Sequence, residues 1–171
     1  MRYGLICALA CLFSLPAIAD EDKWVYVGGG GTSQAYLQNS EVDSDINSGN
    51  VEAWTKSVFP DGSHDLDKHR YACSKDEHLQ LEMYRYDANG NYLSGGKIKP
   101  VWFSAIPESV GHLMLETVCM AAAKQELDKI ELVEGGYTSD AKYALIRKSF
   151  GKYADAVAMN NIQQSINSME W

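Results

Sequence analysis

Apolar and polar residues alternate along much of the first half of the chain. In the run from residue 79 to residue 84, Leu79, Leu81 and Met83 alternate with more polar neighbours. A period of two residues is typical of a strand that buries one face. Other β-rich runs occupy residues 24–28, 34–42 and 51–59. The pattern predicts an antiparallel β-meander of about five to six strands.

Turn-forming residues separate these runs at short intervals. Pro60-Asp61-Gly62 ends one run, and the segment Asp87–Asn91 separates two others. Asn89-Gly90 within that segment suits the positive φ angles of a tight hairpin. Strands joined by connections this short pair in the antiparallel sense.

The period changes after residue 106. Pro107 and Ser109 are typical of the start of a helix, and Gly135-Gly136 is a strong stop. Between them, apolar and small residues recur at helical spacing: Val110, Leu113, Met114, Thr117 and Ala121. Strands followed by helices indicate an α+β fold.

A second helix is predicted to begin at Ser139 or Asp140. Its apolar positions step by three and four residues: Tyr143, Ile146, Phe150, Tyr153 and Val157. We treat residues 20–134 as one α+β domain and residues 135–171 as a C-terminal helical extension.

The first nineteen residues have the layout of a secretory signal peptide. Arg2 precedes an apolar run, and Ala17-Ile18-Ala19 forms a small-x-small cleavage site. The alternative is a lipoprotein signal with Cys11 as the lipidated residue, but Ala8 stands where a leucine is wanted. We expect cleavage after Ala19 and export to the periplasm, the cell surface or the medium.

Removal of the signal leaves two cysteines, Cys73 and Cys119. In an oxidising compartment these two are expected to form one disulfide. Cys73 lies in a predicted strand region and Cys119 in the first predicted helix. The bond would therefore staple the helix to the sheet.

Charge excludes several classes of partner. The chain has 15 basic and 23 acidic side chains, and loss of Arg2 with the signal leaves 14 and 23. A balance of −9 does not suit binding to nucleic acid or to an anionic membrane. We expect no cofactor and no enzymatic activity.

The segment HDLDKHRYAC at residues 64–73 invites a metal or catalytic interpretation. In an extended strand Asp65, Asp67 and His69 would share one face, which gives a generic set of ligands. A thiol nucleophile at Cys73 would lie too far along the strand from His69. We interpret the segment as a solvated turn that enters a strand at about Lys68, without a metal site.

Two sets of residues are candidates for binding. Aromatic side chains on an exposed sheet face would favour a protein partner, since tyrosine and tryptophan give large contact area. The second helix also carries basic residues, which form either a solvated face or a docking and self-association surface. The candidates are Trp54, Tyr84, Tyr86, Lys142, Arg147, Lys148 and Lys152.

Short motifs over about residues 24–121 resemble the surface-adhesin protein E family of Gram-negative bacteria. The motifs are Asn50-Val51-x-x-Trp54-Thr55-Lys56, Leu66 to Cys73 with Arg70, Tyr86-Asp87-x-Asn89-Gly90, Trp102, Ile106-Pro107-x-Ser109-Val110 and Val118-Cys119.

The resemblance implies an antiparallel sheet, a following helix and a disulfide between Cys73 and Cys119. It also implies a binding role, because the named family member is an outer-membrane adhesin that engages host matrix and serum proteins and can dimerise. Two features depart from that family: the signal looks non-lipidated, and about 50 residues follow Cys119. No ligand-contact residue is carried over.

The sequence therefore predicts an exported, non-catalytic protein-binding module, and the resemblance implies an adhesin-like protein at the cell surface that binds host matrix or serum proteins. The alternative is a periplasmic structural or envelope-assembly protein whose C-terminal helix self-associates as a homodimer or docks on an envelope partner.

Overall fold

The computed structural model describes residues 23–38, 42–133 and 140–169. The predicted signal peptide and the predicted stop at Gly135-Gly136 lie outside these residues. The strands are β1 (Trp24–Gly30), β2 (Ser33–Gln38), β3 (Asp43–Asp45), β4 (Asn50–Val58), β5 (His64–Ala72), β6 (Glu77–Tyr86), β7 (Tyr92–Lys97) and β8 (Trp102–Ser104). The helices are α1 (Val110–Val133), α2 (Asp140–Phe150) and α3 (Lys152–Met169).

The strands form one antiparallel sheet in the order β1-β2-β4-β5-β6-β7. The short strand β3 pairs with β4 beyond the end of β2, and β8 pairs with β6 beyond the end of β7. The predicted meander followed by helices is therefore confirmed. The short strands β3 and β8 continue the positions of β2 and β7 in the sheet. The sequence pattern therefore predicted fewer strands than the structure has.

Both predicted turns are present. Gly62 and Gly90 have φ angles of 86° and 81°, a region that favours glycine. The amide of Gly90 donates to the carbonyl of Asp87, whose carboxylate in turn accepts from the amides of Asn89 and Asn91. These local bonds fix the hairpin that leads from β6 into β7.

Helix α1 begins where the sequence predicts. The hydroxyl of Ser109 accepts a hydrogen bond from the amide of His112 at 3.1 Å, which is the geometry of a helix N-cap. One side of α1 is fully buried against the sheet. Its core residues are Leu115, Val118, Cys119, Ala122 and Ala123, which pack with Leu37, Val51, Ala53 and Tyr71 of the strands.

The prediction of one continuous second helix is wrong. The chain turns at Gly151, which has a φ of 56° and donates its amide to the carbonyl of Arg147. This is the usual glycine termination of a helix, and it divides the segment into α2 and α3. Ile146, Phe150 and Tyr153 nevertheless lie in the same core as the sheet and α1. The C-terminal segment thus contributes to the core of the domain that precedes it.

The predicted disulfide joins Cys73 to Cys119. Cys73 is the first residue after β5, so it lies in a turn and not within the strand as predicted. Both cysteines are buried, and their Cα atoms are 5.7 Å apart. The bond ties α1 to the sheet across 46 residues of sequence.

We predict that replacement of both cysteines by alanine lowers the free energy of unfolding by about 2–4 kcal/mol, because the unfolded chain regains the freedom that the 46-residue loop removes. Urea unfolding of the mature chain measures this. A variant as stable as the oxidised parent would contradict the expected contribution of the bond.

Candidate functional site

Alternation along β4 divides the sheet into two faces. Val51, Ala53 and Thr55 are buried on the face that packs against α1, which we call the inner face. Trp54 and Lys56 occupy the alternate positions of the same strand and therefore point the opposite way. We call this second side the outer face.

Strand register gathers aromatic residues on the outer face into a groove. Leu66 lies opposite Tyr84, and Lys56 lies opposite Leu66 on its other side. The groove encloses about 520 Å³, within the range of ligand pockets. Its lining, which comes entirely from strands, is Trp24, Gln38, Trp54, Leu66, Glu82, Tyr84 and Tyr86.

The aromatic rings of the groove support each other. The centroids of Trp54 and Tyr84 are 6.0 Å apart with a tilt of 34°. Tyr86 stacks on His64 at 4.9 Å and meets Tyr92 edge-on at 6.0 Å. These separations suit favourable ring pairs, so the lining is held in place before any ligand arrives.

The carboxylates of Glu82, in the groove, and Glu52, beside it, already have partners. The hydroxyl of Tyr84 donates to Glu82 at 2.7 Å, and this bond raises the pKa of Tyr84. Glu52, farther along the outer face, pairs with Lys68 at 3.0 Å and accepts from Nε of Arg70 at 3.0 Å. The carboxylates of this region are therefore engaged within the protein.

A glycine makes room for the ring of Tyr84. Gly95 lies opposite Tyr84 in the register of β6 and β7. A Cβ atom at Gly95 would stand 3.0 Å from Cδ1 and 2.7 Å from Cα of Tyr84, and would also contact the carbonyl of Met83. A side chain there would push on one wall of the groove.

The interpretation of residues 64–67 as a solvated turn is wrong, because β5 already begins at His64. The predicted shared face of Asp65, Asp67 and His69 is confirmed by their partners on β4. That face is the inner one, and Asp65 and Asp67 are 8% and 9% exposed. Pairing with β4 and β6 along its whole length keeps the segment extended.

The carboxylates on β5 have protein partners. Asp65 pairs with Nε of Arg85 at 3.1 Å, and Asp67 accepts from Nε2 of Gln80 at 2.6 Å. Within the described ranges 23–38, 42–133 and 140–169, no group of three or more His, Cys, Asp or Glu side chains could hold a metal ion.

Burial shifts the titration of this inner cluster. It raises the pKa of Asp67 to about 6, although the hydrogen bond from Gln80 acts in the opposite direction. Burial, with a smaller effect of His78, lowers the pKa of His69 to about 4. The fold therefore favours the neutral form of both side chains, compared with the unfolded chain.

The basic candidates lie apart from the groove. Arg147 pairs with Asp155 at 3.0 Å, and Lys152 pairs with Asp76 at 3.1 Å, which ties α3 to the turn between β5 and β6. Lys142 and Lys148 are exposed on α2. None of these four lines the groove, whereas the predicted aromatic residues Trp54, Tyr84 and Tyr86 all do.

Several groove residues were not among the candidates predicted from sequence. These are Trp24, Gln38, Leu66 and Glu82. Trp24 and Glu82 lie on strands that the hydrophobic pattern does predict. The residues that lie beside them in the groove cannot be predicted from the pattern alone. Strand register decides which side chains from distant parts of the chain become neighbours.

Comparisons with family models, curated proteins and solved structures found no match. None of the helices in the described part of the chain is long and apolar enough to cross a membrane.

We predict that Gly95→Ala destabilises the fold by about 1–3 kcal/mol more than Gly96→Ala, since only the first introduces an atom into a filled space. Both glycines have a φ of 149°, and a Cβ at Gly96 would meet nothing within 4 Å. The matched pair therefore separates the contacts with Met83 and Tyr84 from backbone strain. Equal losses in thermal unfolding would show that these contacts are unimportant.

We predict that Asp67→Asn stabilises the fold at pH 8 by about 1–3 kcal/mol. The pKa of Asp67 is raised to about 6 from 3.8, so the folded chain binds this proton more tightly than the unfolded chain. Ionisation of Asp67 therefore destabilises the fold above about pH 6, and this cost disappears as pH falls towards 4.

Urea unfolding between pH 4 and pH 8 measures the effect of Asp67→Asn, which should also reduce the dependence of stability on pH. Asp87→Asn is the control. Turn hydrogen bonds lower the pKa of Asp87, so removal of its negative charge should not stabilise the fold at pH 8. Lower stability of Asp67→Asn at pH 8 would contradict the prediction.

Proposed function

We propose that the chain is an exported, non-catalytic binding module that engages a protein partner through the aromatic groove of the outer face. The groove itself carries this proposal: four aromatic side chains from three strands line one cavity on the side of the sheet away from α1. Tyrosine and tryptophan dominate the energetics of protein interfaces because they bury large areas with little loss of side-chain entropy.

The groove is built before binding. Trp54, Tyr84 and Tyr86 contact other rings, and Glu82 is held by the Tyr84 hydroxyl. A partner therefore loses little affinity to reorganisation of this surface. The arrangement supports binding better than catalysis, since the one carboxylate of the lining is already engaged.

Export is supported by the signal-like N-terminus and by the buried disulfide, which is typical of oxidising compartments. The resemblance to the surface-adhesin protein E family suggests host matrix or serum proteins as partners. The alternative, docking or homodimerisation through the C-terminal helix, has less support, because Ile146, Phe150 and Tyr153 are already buried in the core.

We predict that Trp54→Ala weakens binding to a protein ligand at least roughly tenfold, as expected of an aromatic residue at the centre of an interface. Surface plasmon resonance against a panel of purified matrix and serum proteins would identify a ligand and measure the loss. Trp102→Ala is the matched control, since Trp102 is 44% exposed and outside the groove lining. Equal weakening by both variants, or no loss with Trp54→Ala, would contradict the proposal.

The cellular side of the proposal is tested with a membrane-impermeant biotin reagent on intact cells. Labelling before permeabilisation supports an adhesin-like role on the surface. Labelling only after permeabilisation would contradict that role and would direct the search for a partner to envelope proteins.

A further inference from the structure

A single lysine stands among uncharged side chains at the centre of the outer face. Lys56 lies opposite Tyr36 of β2 on one side and opposite Leu66 of β5 on the other. Trp54 and Val58 are its neighbours on the same face of β4. None of these four residues carries a charge, so the ammonium group has no counter-ion beside it in the sheet.

The nearby carboxylates of the outer face do not pair with Lys56. Glu52 is held by Lys68 and Arg70, and Glu82 accepts from Tyr84. Lys56 forms no salt bridge within the described part of the chain. Its ammonium group lies 5.8 Å from the ring centroid of Trp24, one of the groove residues.

The charge of Lys56 reaches the rim of the groove. After burial, Lys56 is the next cause that lowers the pKa of His64, the residue that stacks on Tyr86. Apolar walls strengthen the field of a charge by excluding water from one side of it. An anionic group that enters the groove would therefore find a cation that forms no salt bridge with the described residues.

We propose that the groove selects a polypeptide segment in which an aspartate or glutamate adjoins a large apolar side chain. The apolar side chain packs against Trp54 and Tyr84 while the carboxylate pairs with the ammonium of Lys56. This inference rests on the proposed function and adds the chemistry of the partner. The attraction between Lys56 and the carboxylate of the partner acts only at short range, because the chain as a whole is acidic and would repel an acidic partner at a distance.

The test selects peptides from a random linear library displayed on phage, with the immobilised mature chain as target. The expected sequences are enriched in Asp or Glu within two residues of an aromatic or large aliphatic residue. Synthetic peptides from the selection should bind Lys56→Met roughly tenfold more weakly than the parent. The same loss should follow replacement of the peptide carboxylate by its amide.

Two further variants guard against indirect effects. Lys99→Met removes a positive charge from the exposed connection between β7 and β8, and it should leave peptide affinity unchanged. Lys56→Glu should shift a fresh selection from acidic towards basic peptides, a result that simple loss of folding cannot produce. Circular dichroism establishes that each variant is folded.

The outcomes separate this inference from the proposed function. Peptides that need Trp54 but show no acidic preference and bind Lys56→Met normally would overturn the inference and leave the proposed function standing. If no selected peptide depends on Trp54, both proposals fail. Binding of heparin oligosaccharides that depends on Lys56, without selection of acidic peptides, would also overturn the inference, because it would assign the groove to an anionic glycan.

Discussion

The packing of α1 against one face of the sheet is the constraint on which the rest of the structure depends. Leu115, Val118 and Ala122 are fully buried there, and Cys119 is covalently bound to Cys73. Side chains alternate along a strand, so each residue of β4 on the inner face is followed by a residue on the outer face. The aromatic groove is a consequence of this one-sided core.

The sequence predicted those parts of the fold that depend on local interactions. Period-two alternation identified the strands, Asn89-Gly90 identified a hairpin, and the capping serine Ser109 identified the start of α1. The errors arose where tertiary contacts determine the secondary structure. Pairing on both sides makes His64 to Asp67 part of a strand although three of these four residues are polar or charged. Gly151 ends α2 within an apolar pattern that continues on both sides.

The candidate site was only partly predictable for the same reason. Trp54, Tyr84 and Tyr86 stand out by residue type, but their convergence depends on the register of β4, β5 and β6. Residue type alone gave the basic residues of α2 and α3 equal weight, although Arg147 and Lys152 form salt bridges away from the groove. Lys56 lies opposite the uncharged residues Tyr36 and Leu66, and this placement follows from strand register, which no linear pattern reveals.

Hydroxyl-radical footprinting of the mature chain, alone and with a bound protein or peptide, tests most directly whether the outer face is the binding surface. In the free chain Trp54 and Tyr84 should be oxidised far faster than the buried Tyr71 and Phe150. The ligand should then protect Trp54 and Tyr84 while oxidation of Tyr143 on α2 stays unchanged. Protection confined to α2 and α3, with Trp54 still reactive, would contradict the assignment of the groove.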